Sequence, residues 1–159
     1  MRRLLIVLAL LVAGTAQAGI QEGTRYFYWQ KKADGAALLN AMKKQGIRPF
    51  IRHAGVYYDE RDLGSNAVLC GKRADRGNLQ QFVEAMVKAG AKIQFVGPFY
   101  KREYNGVRDS IDLRSINDER YHKSAKVLTV ADLKRIPWRH PQLCGITDGL
   151  KNWDEVTRN

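Results

Sequence analysis

The chain has 159 residues, 27 Lys and Arg against 16 Asp and Glu, a formal charge of +11 and 45% hydrophobic residues. This length suits one domain with its own core, and no second independent domain is expected. The basic surplus serves solubility and favours anionic partners such as phosphate groups, acidic glycans, lipid headgroups or an acidic protein.

Residues 1–18 carry the pattern of a secretory signal peptide: Arg2 and Arg3, then the apolar run from Leu4 to Val12, then Ala16-Gln17-Ala18 as a small-x-small cut site. The run is too short to span a bilayer, and no second run of about 18 apolar residues follows. The mature protein is therefore expected to begin near Gly19, to lack a transmembrane segment, and to be periplasmic or secreted. Without Arg2 and Arg3, 25 basic residues remain against 16 acidic, a formal charge of +9. Cys70 and Cys144 are the two cysteines, and an even pair in an oxidising compartment predicts a disulfide. No CxxC is present and the three histidines are far apart, so no zinc pattern emerges and no cofactor is expected.

Within the single domain 19–159, residues 25–30 have the aromatic density of a strand, with Tyr26 and Tyr28 on one face and Phe27 and Trp29 on the other. Asp34 is the expected cap of a helix with Ala37, Leu38, Ala41 and Met42 on one side and Gly46 as its stop. Residues 47–53 read as a strand with Ile47 and Ile51 inward and Arg48 and Arg52 outward, and Pro49 assigns it to a sheet edge. After a polar loop comes a short apolar strand, residues 67–70. Asp75 then opens the clearest helix, with Leu79, Phe82, Val83, Met86 and Val87 on one side and Gly90 as its stop. A fourth strand is expected at residues 93–96, ended by Gly97-Pro98. The two helix-plus-strand halves share a period near 40 residues.

Beyond Phe99, Ser110 to Arg114 alternates like a strand, with Ile111 and Leu113 on one face. Val127-Leu128 reads as a further short strand, and Thr129-Val-Ala-Asp132 as a capping box opening a turn or two of helix before Pro137. The remainder has no sustained period. The expected fold is α+β, a two-layer sandwich with a ferredoxin-like βαββαβ core over 25–99 and an extension, 100–159, stapled back by the disulfide.

Residues 25–99, with the aromatic strand Tyr26 to Trp29, the helix ending at Gly46 and the second round through Gly90 and Ile93 to Val96, resemble small modules of the bacterial cell envelope. One is the sporulation-related repeat domain and the other the C-terminal domain of LytR-type proteins. The first resemblance implies peptidoglycan as a partner. Arg52-His53-Ala54, with Gly77-x-x-Gln80 and Gly97-Pro-Phe-Tyr-Lys-Arg102, also resembles the histidine phosphatases, which implies His53 as phosphoryl acceptor and Arg52 as phosphate ligand. Lys101 stands where that family has its second Arg, and no second His-x-Gly is visible.

No catalytic residue is assigned. There is no G-x-S-x-G elbow and no phosphate-binding glycine loop. The acids Asp59, Glu60 and Asp62 alternate with Arg61 as a self-paired, solvated loop would, and His122 sits in a polar connection. An aromatic strand beside basic residues suggests base stacking, but an exported protein seldom meets RNA. The residues expected to form one basic contact face are Arg48, Arg52, His53, Lys72, Arg73, Arg76, Lys101 and Arg102. The sequence therefore reads as an exported binding module of the cell envelope rather than an enzyme, recognising an anionic envelope component, peptidoglycan or a protein partner. A degenerate histidine phosphatase and an exported inhibitor of another protein are the alternatives.

Overall fold

Two strand–helix–strand units form as the apolar spacing requires. The structure, a computed structural model, describes residues 23–53, 64–100, 108–115 and 126–147. The first unit is β1 (Arg25–Gln30), α1 (Ala37–Lys44) and β2 (Phe50–His53); the second is β3 (Ala67–Cys70), α2 (Arg76–Lys88) and β4 (Phe95–Tyr100). They are followed by β5 (Ser110–Arg114), the short helix α3 (Val130–Leu133) and β6 (Ile146–Thr147). The expected signal peptide and the loop acids 59, 60 and 62 lie outside the described residues, as do Lys101, Arg102 and His122.

Both units are parallel: β1 runs beside β2 with Phe27 opposite Phe50, and β3 beside β4 with Val68 opposite Val96. β5 lies between them, parallel to β1 and antiparallel to β3. The sheet order is β2-β1-β5-β3-β4, with the two-residue β6 added beside β4.

This order corrects the ferredoxin-like expectation. A ferredoxin-like core splits each strand–helix–strand unit by inserting another strand between its two strands, whereas here β1 touches β2 and β3 touches β4. The physical reason lies in β5, which belongs to the segment expected as a peripheral extension. Ser110, Ile111, Asp112 and Leu113 are all buried, a burial that suits an interior strand. The fold is accordingly α+β with a mixed, mostly parallel sheet.

The main core occupies one face of the sheet. Leu38 and Met42 of α1 and Leu79, Phe82, Val83 and Met86 of α2 pack against Tyr26, Tyr28, Val68, Val96, Ile111 and Leu113. Fully burying side chains of this size contributes about 1.5–3 kcal/mol each. The α2 helix begins as expected: the Asp75 carboxylate accepts a hydrogen bond from the Asn78 amide at 2.7 Å. The capping box of α3 also forms, with Thr129 and Asp132 exchanging bonds.

Other expectations change. Asp34 caps no helix; it ends a 3-10 turn, and its carboxylate accepts from the Tyr28 hydroxyl and from Ser65. Ile51 lies in register with buried Tyr28 but is 42% exposed, because no described strand flanks the outer side of β2 to complete the cover. The fourth strand runs through Gly97-Pro98 instead of ending there, and β6 joins its outer side only from Phe99 onward. Val127-Leu128 forms no strand, although the Leu128 amide donates to the Ile93 carbonyl at 2.7 Å.

Candidate anion-binding site

The turn after β3 carries Lys72 and Arg73, and the pairing of β3 with β5 decides what lies beside them. Because Cys70 stands opposite Ile111 in an antiparallel ladder, residues following Cys70 run alongside residues preceding Ser110. The Gly71 amide donates to the Ser110 carbonyl at 2.9 Å and the Arg73 amide to the Arg108 carbonyl at 2.7 Å. Arg108 is thereby locked beside Arg73.

The disulfide supplies the opposite wall. Cys70 and Cys144 are bonded, with Cα atoms 4.9 Å apart. The next residue, Gly145, donates from its amide to the Cys70 carbonyl at 2.9 Å, and its own carbonyl accepts from the Phe99 amide at 3.0 Å. Its φ of 138° is a conformation that favours glycine, so a side chain here would strain the return of the chain. The result is a cleft of about 570 Å³ lined by Lys72, Arg73, Arg108, Gly145 and Ile146. Ile146 is 51% exposed and gives the rim an apolar patch.

Asp109, the residue after Arg108, is already engaged. Asp109 accepts bonds from Arg25 at 2.7, 3.1 and 3.2 Å, and these bonds hold its carboxyl below the usual carboxylate range. Arg73 adds a smaller pull in the same direction. Among the described residues no carboxylate forms an ion pair with Lys72, Arg73 or Arg108, and all three are exposed. Among the described residues three cations thus line one cleft with no ion-paired carboxylate, a charge set that suits a multiply charged anion.

Of the residues expected to form one basic face, Lys72 and Arg73 meet in this cleft. Arg76 opens α2 but turns partly inward: its Nη1 is buried without a hydrogen-bond partner among the described residues, and burial pushes its pKa down. Arg48, Arg52 and His53 belong to the other end of the sheet. From β2 to β3 there are three strand steps, about 14 Å at roughly 4.8 Å each. Arg52 lies over aromatic rings there, 5.5 Å from the Phe27 centroid and 5.6 Å from that of Trp29. No local pattern marks Arg108, because only the long-range register of β5 against β3 brings it beside Arg73.

A second concavity, about 310 Å³, lies between the start of α1 and the end of α2 and is lined by Asp34, Ser65, Lys92 and Gln94 among others. Its carboxylate is committed to Tyr28 and Ser65, so it lacks the uncompensated charge of the basic cleft. Among the described residues no helix is long and apolar enough to cross a membrane. The disulfide points to an oxidising compartment. No family model, curated protein or solved structure matches this chain.

Proposed function

We propose that this protein is an exported binding protein of the periplasm or cell surface, and that it holds an anionic group in the cleft between the β3–α2 turn and the disulfide-anchored strand β6. The observation that carries this reading is the convergence of Lys72, Arg73 and Arg108 on one cleft with no ion pair among the described residues. Two arginines and a lysine suit a phosphoryl group, which accepts several charge-assisted hydrogen bonds at once, better than a single carboxylate. The exposed Ile146 rim suits a phosphoryl group carried on a larger body, such as an envelope polymer or lipid.

The reading assigns no catalytic step, because no nucleophile or general base is positioned at the cleft among the residues that line it. Amide chemical shifts followed during titration with inorganic phosphate, pyrophosphate and acetate test it. Saturable shifts at residues 71–73, 108 and 145–146 are expected, strongest for pyrophosphate. Shifts confined to β2, or none at all, contradict the proposal.

A further inference from the structure

The far edge of the sheet is built differently from the cleft. Among the described residues β2 is bonded to β1 on one side only and ends the strand order. Its consecutive residues Phe50 and Ile51 are 58% and 42% exposed, so apolar side chains stand open on both faces of one strand. Phe50 stacks on Phe27 with ring centroids 5.3 Å apart, and the Arg52 guanidinium lies against Phe27 and Trp29. Among the described residues neither Arg48 nor Arg52 forms an ion pair, and both are exposed.

An edge strand presents unpaired backbone groups to any extended chain that can lie alongside it. Arginine held over aromatic rings has lost part of its side-chain freedom already, which lowers the entropic cost of using it in a contact. We infer that β2 is a docking edge for an extended, acidic segment of a different protein. That segment adds as a strand beside Phe50–His53, sets carboxylates against Arg48 and Arg52, and lays an apolar side chain on Phe50. Charge selects this occupant over a second copy: a second copy brings the same two arginines and another basic chain, of formal charge +9 without Arg2 and Arg3. The inference rests on β2 alone and is independent of the cleft.

The test uses a fluorescent peptide of alternating Glu and Val with a central Tyr, a matching peptide with Lys in place of Glu, and the full mature protein. Anisotropy gives affinity, and hydrogen exchange reads the β2 amides. The account expects the Glu peptide to bind and the Lys peptide not to, with slowed exchange at residues 50–53. Arg52→Glu and Phe50→Ser, both exposed positions, should each weaken binding about tenfold or more, and Arg73→Glu should change it by less than about twofold. The inference is overturned if the Glu peptide does not bind, if both peptides bind alike, or if Arg73→Glu and not Arg52→Glu abolishes binding. A dimer in sedimentation with β2 amides protected before any peptide is added also overturns it, in favour of a second copy.

Discussion

The Tyr28 hydroxyl donates a 2.9 Å hydrogen bond to the Asp34 carboxylate, which also accepts from the amide and hydroxyl of Ser65 at 2.6 Å each. One side chain from the turn after β1 thus fixes the residue that leads into β3. Asp34→Ala leaves a buried phenol and Ser65 without their acceptor and should cost about 1–3 kcal/mol in urea unfolding. Tyr28→Phe removes a single donor and should cost less, about 1 kcal/mol.

The disulfide closes a loop with a sequence separation of 74. In the chain-entropy account a loop of this size contributes about 4 kcal/mol. Cys144→Ala should lower the melting temperature by several degrees and also loosen the Gly145–Ile146 wall. Unfolding measured beside phosphate titration separates the effects: a variant still folded at low temperature should bind phosphate more weakly than the unmutated protein.

Acid sensitivity should follow Asp109 and Asp132. Hydrogen bonds from Arg25 hold Asp109 below its ordinary range, and bonds from Thr129, with Lys126 adding less, do the same for Asp132. A carboxylate whose folded pKa is depressed stabilises the fold above its unfolded value, about 4, and loses that contribution as pH falls through the folded value. Unfolding curves at neutral pH and at about pH 3 should therefore show a smaller acid loss in Arg25→Ala than in the unmutated protein, because Asp109 then loses the bonds that depress it most. An equal loss in both would show that the Arg25–Asp109 pair contributes nothing.

The local elements were legible because local chemistry decides them. The Asp75 cap, the apolar stripe of α2 and the Thr129–Asp132 box are read within a few residues of themselves. The strand order was not legible, since it depends on where β5 inserts, and the alternation of residues 110–114 also describes a half-exposed strand. Burial of Asp112 is made tolerable by a bond from Arg114, two residues along the same strand, and by one from the Trp29 indole on β1, a cross-strand partner that no local pattern announces. The site follows the same division. Lys72 and Arg73 were visible as cations at a strand–helix junction, whereas Arg108 joins them only through the β3–β5 register, and that order also sends Arg48 and Arg52 to the opposite edge.

The central claim is that the cleft, and not the β2 edge, holds the anion. Titration of inorganic pyrophosphate into the protein and two charge-reversed variants measures this directly. Lys72→Glu, Arg73→Glu and Arg108→Glu together change exposed side chains and should leave stability within about 1 kcal/mol. The account predicts that this triple variant loses affinity by about tenfold or more, that Arg48→Glu with Arg52→Glu stays within about twofold, and that affinity in the unmutated protein falls with added salt. Retained affinity in the triple variant, with loss in the β2 double variant, would contradict it.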